Sequence, residues 1–215
     1  MAEWEVLFDK AMLCLDSLAK MQMRPPEWSF GGGTVLMLKY AHRASKDIDI
    51  FLTDVQYLPA LSPRLNDVSE AIAEAGGYSE QSNCVKITTL EGEIDFVAAP
   101  HLAATPYVEQ MIHGRKVRVE TPEEIIVKKL FYRAVDLHPR DVFDAAVVIK
   151  HDRGVLDRNH TVLQSRLSLL FRRMDELESI YDTGKGQLQV LPDGRPFLAT
   201  AWDVLNKALR DLNRV

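Results

Sequence analysis

The run Gly31-Gly32-Gly33-Thr34 separates Trp28-Ser29-Phe30 from the apolar stretch Val35 to His42. Glycine reaches backbone conformations closed to other residues and brings no side-chain bulk. The pattern predicts a short strand over 28–30, a tight turn, and a helix over 35–42. A strand feeding a helix in this way restricts the chain to folds that mix α and β. A helix starting just after Thr34 also aims unpaired N–H groups and its positive dipole end at the turn, which suits a phosphate. Taken alone, such a turn is more often purely structural.

Asp47-Ile48-Asp49-Ile50 adds chemistry. Alternate side chains of a strand share a face, so a strand over 47–52 points Asp47 and Asp49 the same way, their Cα atoms ~7 Å apart. Ile48 and Ile50 then face a core. Two aligned carboxylates repel each other unless a cation joins them, and hard divalent ions are held by carboxylates and substrate phosphates. Metal pairs ~3.5–4 Å apart serve phosphoryl and nucleotidyl transfer. Glu93-Ile94-Asp95-Phe96-Val97 repeats the alternation. Asp95 falls on the polar face of a neighbouring strand and is a candidate third carboxylate, either a base for an attacking hydroxyl or a further metal ligand. Glu93 shares that face and competes for the role.

The remaining pattern divides the chain. Residues 4–21 read as an amphipathic helix ended by Arg24-Pro25-Pro26, since proline cannot continue a helix. Another helix is predicted near Leu65 to Ala75. Val85 to Thr89 and Glu93 to Ala98 form a predicted hairpin turning at Glu91-Gly92, and Lys116 to Val119 is one more strand. Thr121-Pro122-Glu123-Glu124 is a helix start with an N-cap, a first-turn proline and acidic residues. Helices are expected over 123–136, 140–150, 159–181 and 198–213. The fold class is therefore α+β: a mixed sheet backed by helices over 1–120, then a helical domain over 121–215.

Composition narrows the partners. Among 215 residues, 47% are hydrophobic and the net charge is -5, so nucleic acid would have to be met by a local basic patch. Arg166, Arg172, Arg173, Lys185, Arg195, Lys207 and Arg210 are the basic residues to watch, against a default of an ordinary solvated face. Two cysteines outside any CxxC pair read as free thiols. No apolar run reaches the ~20 residues of a membrane span, and the acidic N-terminus lacks signal-peptide character; a cytoplasmic protein is expected. Neither Gly-x-Ser-x-Gly nor a Cys-His arrangement offers a covalent nucleophile, and Asp182-Thr183-Gly184-Lys185-Gly186 has loop composition without P-loop spacing.

Gly32-Gly33-Thr34 followed after twelve residues by Asp47-Ile48-Asp49 resembles the signature of polymerase β-like nucleotidyltransferases. The fuller string is similar to the AbiEii/AbiGii nucleotidyltransferase toxin family. It runs through Arg43-Ala44-Ser45-Lys46-Asp47-Ile48-Asp49-Ile50-Phe51, then Lys129-Leu130-Phe131-Tyr132-Arg133 and Arg140-Asp141-Val142-Phe143-Asp144. The resemblance implies a polymerase β-like core whose helical half completes the active site. It implies transfer of a nucleotide from an NTP to the 3′ end of tRNA, with Mg²⁺ or Mn²⁺, in a type IV-like toxin–antitoxin system with a separately encoded antitoxin.

Carried over by position, Gly32, Gly33 and Thr34 hold the triphosphate, with Arg43 and Ser45 on the nucleotide side. Asp47, Asp49 and Asp95 bind metal. Lys129 contacts phosphates and Asp141 completes the pocket, with Lys128 and Asp144 as adjacent alternatives. Each has a plainer reading. Lys129 and Arg133 share a helix face and are placed to pair with Glu124 or Asp136, Arg140-Asp141 suits a helix start, and Arg43 and Ser45 suit a helix end. The rival functions are nucleotidylation of a protein or of a small molecule such as an aminoglycoside, and an inactive binding module.

Overall fold

The computed structural model describes residues 2–74 and 76–214. Ala75, the expected end of one helix, and the terminal residues Met1 and Val215 lie outside the described residues. The chain forms two compact units. The first comprises Met1–Val35, Ser45–His101 and Tyr107–Glu120; the second comprises Leu36–Ala44, Leu102–Pro106 and Thr121–Val215.

The first unit carries a seven-stranded mixed sheet. Its strands are β1 (Trp28–Gly31), β2 (Ile48–Leu52), β3 (Tyr78–Gln81), β4 (Cys84–Thr88), β5 (Glu93–Ala98), β6 (Tyr107–Ile112) and β7 (Arg115–Glu120), in the order β3-β4-β5-β2-β1-β7-β6. β2 runs parallel to β5, and β1 parallel to β7; the other pairs are antiparallel. Alternation places Phe30, Ile48, Ile50, Leu52, Val85, Ile87, Ile94 and Phe96 on one buried face. Helices α1 (Glu3–Lys20), α3 (Leu58–Leu61) and α4 (Asp67–Ala73) pack against these strands. α1 buries Leu7, Phe8, Ala11, Cys14, Leu15 and Leu18 at helical spacing. Asn66 starts α4 by accepting from the N–H groups of Val68 and Ser69, and its amide donates to Ser17 Oγ and the Ala60 carbonyl.

α2 (Gly32–Tyr40) leaves β1 directly, so the glycine turn is the strand-to-helix junction. The second unit is helical: α5 (Pro122–Tyr132), α6 (Pro139–His151), α7 (His160–Leu163), α8 (Leu167–Lys185), α9 (Arg195–Leu198) and α10 (Ala201–Leu212). Thr121 caps α5 by accepting from Glu124 N–H, with Pro122 in the first turn. α6 is the centre of this core. It buries Val142, Phe143 and Ala145 to Ile149 and touches α5, α8, α9 and α10. α8 and α10 supply narrow stripes, Leu167, Leu170, Met174, Leu177 and Tyr181 from one and Ala201, Leu205, Leu209 and Leu212 from the other.

The helix expected over 159–181 is interrupted. A 3-10 turn at Gln164–Arg166 separates α7 from α8, and both flanking leucines, Leu163 and Leu167, are buried. Among the described residues, no helix is long and apolar enough to cross a membrane.

Phe96 is fully buried on the sheet's apolar face. Phe96→Ala is expected to lower stability by about 3–5 kcal/mol, read from urea unfolding followed by circular dichroism.

Candidate active site

In the first unit, the sheet's second face gathers the carboxylates. Asp49 on β2 lies directly beside Gly31 on β1 and Asp95 on β5, and Asp95 lies beside Lys86 on β4. Residues paired across strands share a face, so Asp49, Asp95 and Lys86 form one row. Glu93 sits two residues before Asp95, and Lys86 Nζ pairs with it. The same ammonium lies 3.5 Å from Asp95 Oδ1. Register thus sets Asp95, rather than Glu93, next to Asp49.

Asp95 Oδ1 is buried and accepts no hydrogen bond among the described residues. Burial, and then the charge of Asp49, push the Asp95 carboxyl up to about 6, with Lys86 opposing. Asp47 precedes β2 rather than lying in it, and its Oδ1 accepts from Glu93 N–H at 3.0 Å. It is positioned by the turn into β5, not by strand alternation.

The glycine turn bears directly on this row. Gly32 has φ of 74°, in the left-handed region that favours glycine. A Cβ at Gly32 would also overlap the Asp49 carboxylate. Gly33 follows within α2. Thr34 is fully buried; its hydroxyl donates to the Asp47 carbonyl at 2.6 Å and lies 3.2 Å from Ser45 Oγ. The threonine therefore locks the turn onto the segment entering β2.

Arg43, Lys129 and Asp141 belong to the second unit and assemble there around Asp144, which is completely buried. Arg43 grips Asp144 with two bonds, Nε to Oδ1 at 2.6 Å and Nη2 to Oδ2 at 2.8 Å. His42 Nε2 lies 2.8 Å from Asp144 Oδ1. Lys129 Nζ bridges Asp144 Oδ2 at 2.6 Å and Asp141 Oδ1 at 2.7 Å. Arg133 adds a contact to Asp141 at 3.2 Å, and Asp141 Oδ2 accepts from His138 N–H as a helix cap. Burial opposes ionisation of both carboxyls. Lys129 and then Arg133 overcome it at Asp141, and Lys129 and then Arg43 at Asp144, so both stay below the usual carboxylate range.

Sequence reasoning overlooked Lys86, although its place between inward Val85 and Ile87 marks it as outward-facing in the hairpin with β5. It also read His42 as an ordinary helix end; no local pattern announces a partner so far along the chain.

The family model of the nucleotidyl transferase AbiEii toxin, type IV toxin–antitoxin system, matches residues 24–176. No curated protein sequence matches the chain. Among solved structures, the chain is similar to the antibiotic-resistance factor ANT(2″)-Ia in solution, with a TM-score of 0.54 at 17% identity, covering 80% of this chain and 97% of that one. The nucleotidyltransferase toxin MenT4 of Mycobacterium tuberculosis H37Rv aligns with a TM-score of 0.49 at 17% identity, over 100% of this chain and 86% of that one. The fold is that of the polymerase β-like nucleotidyltransferases.

Two outcomes follow from the charge arrangement. Removing a buried partner leaves the others uncompensated, so Asp144→Ala should destabilise the protein by about 3–5 kcal/mol in denaturant titration. Asp95 behaves in the opposite sense. Its folded value is raised from 3.8 to about 6, so without divalent ions the folded state binds more protons than the unfolded state across that window. The stability Asp95 contributes is present below pH 3.8 and lost as pH rises through about 6. Asp95→Asn should therefore gain on the wild type between pH 4 and 7, by on the order of 2 kcal/mol in thermal melts with EDTA.

Proposed function

The chain belongs to the AbiEii nucleotidyltransferase toxin family and is an NTP-dependent nucleotidyltransferase, and from that premise we propose that it transfers a nucleotide to the 3′ end of a tRNA in the cytoplasm. The observation that carries the reading is the row of carboxylates beside the glycine turn, with Asp49 and Asp95 at one register and Asp95 Oδ1 buried without a hydrogen-bond donor. A buried acceptor atom flanked by a second carboxylate is costly, and Lys86 at 3.5 Å offsets this only in part, since the carboxyl stays up at about 6. The residues therefore fit a divalent metal.

Asp47, Asp49 and Asp95 are the residues that would hold Mg²⁺ or Mn²⁺. When bound, the metal neutralises charge on the α-phosphate and lowers the pKa of the acceptor hydroxyl. The chain's own groups do the rest. The Gly32-Gly33 backbone admits the β- and γ-phosphates closely, and the first N–H groups of α2 face them. Thr34 and Ser45 hold that turn rigidly to the segment carrying Asp47. The Asp95 carboxylate accepts the hydrogen of the attacking hydroxyl and aims its oxygen at the α-phosphate, in line with departing pyrophosphate. Lys129 and Asp141 act as positioning residues, since their charged atoms are bound to one another and to Asp144. They hold Arg43 in place through Asp144, within the second unit. A separately encoded antitoxin is the expected protein partner.

Incubating the protein with Mg²⁺, each labelled NTP in turn and either total tRNA, total protein or an aminoglycoside tests the acceptor. Label in tRNA is expected. Label confined to protein or to the small molecule would transfer the assignment to that acceptor, and NTP binding with no transfer would leave a binding module. Asp49→Ala should reduce transfer by at least about a thousandfold, the scale of losing a main electrostatic contributor, with an unchanged circular dichroism spectrum. Activity retained in that variant would remove Asp49 from the metal site.

A further inference from the structure

The second unit contains an open cleft of about 530 Å³, within the usual ~300–1,000 Å³ of ligand sites. One wall is the segment through Arg43 and Ala44, held by a short antiparallel bridge in which Ala44 N–H donates to the Gln189 carbonyl and Leu191 N–H to the His42 carbonyl. The start of α6, His138 to Arg140, forms another wall. The third is the end of α8 at Gly184 with Gln187 and Gln189 beyond it. Gly184 lets α8 close onto the start of α6, since a Cβ there would overlap the Pro139 ring.

The polar lining is selective. No aspartate or glutamate lines the cleft, in a chain of net charge -5. The Arg43 guanidinium is committed to Asp144. Arg140 is exposed, and no hydrogen bond or ion pair engages its side chain among the described residues. The exposed Gln187 and Gln189 likewise offer unengaged side-chain amides. The cleft therefore presents one uncommitted permanent positive charge and two amides that both donate and accept, besides the His138 imidazole, which lies 3.6 Å from Asp136. A triphosphate with its several negative charges is poorly matched by one guanidinium. A phosphodiester carries a single charge, which an arginine fork pairs with well. Amides suit the mixed donors and acceptors of an unstacked base edge.

We propose that this cleft binds one phosphodiester-linked nucleotide of a single-stranded RNA end, with Arg140 on the phosphate and Gln187 and Gln189 on the base. This rests on RNA being the acceptor. It gives Arg140 a role independent of the adjacent Asp141, and it uses the Gly184 to Gln189 segment that a P-loop reading leaves without a function.

The test is anisotropy titration of a short fluorescent single-stranded RNA across a salt series, alongside transfer assays in which tRNA and NTP are varied separately. Arg140→Gln should weaken RNA binding and raise KM for tRNA by about tenfold, lower the slope of log K against log salt by about one, and leave KM for the NTP within about twofold. Arg140→Lys should restore the salt slope. Gln187→Ala with Gln189→Ala should weaken RNA binding by about threefold or more at an unchanged salt slope. If wild-type protein labels tRNA and Arg140→Gln matches it in affinity and slope, the cleft assignment falls while the tRNA reading stands. A rise in KM for the NTP alone would assign the cleft to the free nucleotide and overturn the proposal. Wild-type protein that neither binds nor labels RNA would overturn both.

Discussion

Asp49 and Asp95 stand side by side because the opposite face of the same two strands is apolar. Ile48 pairs with Ile94 and Ile50 with Phe96, all fully buried. A slip of one residue would turn both aspartates into the core and expose all four apolar side chains. Magnitudes show which effect wins. Burying four such side chains is worth about 1.5–3 kcal/mol each. Two carboxylates ~5 Å apart at an effective dielectric near 20 repel by only about 3 kcal/mol. The hydrophobic register therefore imposes the like-charge contact, and the Asp95 carboxyl is raised first by its burial and then by the Asp49 charge. The arrangement is unfavourable as charge alone and becomes favourable when a cation is shared, which is the property a metal-dependent transferase requires.

The second unit shows the reverse use of a paired-aspartate motif. Asp141 and Asp144 are three apart on α6 and more deeply buried than Asp95, yet both are held ionised. Here each carboxylate oxygen meets a guanidinium, an ammonium, an imidazole or a backbone N–H. Spacing explains part of the contrast. Residues three apart on a helix lie along one face, where a single lysine can bridge both. Of Asp47 and Asp49 only Asp49 lies in β2, and Asp47 is held apart from that alternation by the Glu93 N–H. Paired aspartates thus end in a cation-bound network in one unit and beside a raised Asp95 carboxyl in the other.

Much of this was legible where burial leaves a periodic imprint. The β4–β5 hairpin, β2 and the capped start of α5 carry alternation or cap chemistry in their residues. β3 and β6 do not. Both are sheet edges, all four residues of β3 are exposed and so is most of β6, so no core face selects apolar residues at every second position. The β6–β7 hairpin turns at His113-Gly114, both at positive φ; the conformation is that of a tight two-residue turn, but only its glycine hints at it. In the site, the Asp95 candidate could be extracted from spacing, whereas its preference over Glu93 needed the register with β2. The Arg43–Asp144 pair spans 101 positions. Nothing local distinguishes an arginine that will be buried against an aspartate from one that will cap a helix.

Gly32 ties these threads together, because its missing side chain serves two purposes. From spacing alone, the glycine is there to let a phosphate approach the backbone. Its positive φ agrees with a turn that only glycine enters cheaply. The same absent Cβ leaves the space that the Asp49 carboxylate occupies. A serine or alanine at this position would therefore displace the carboxylate before any nucleotide arrived. The turn and the Asp49 carboxylate are consequently not two motifs that happen to fall at a useful spacing. Antiparallel pairing sets Gly31 opposite Asp49, the next residue makes room for the carboxylate, and Thr34 bonds back to the Asp47 carbonyl. The twelve intervening residues return the chain to a contact that is already closed on both sides, at Gly31 with Asp49 and at Thr34 with Asp47.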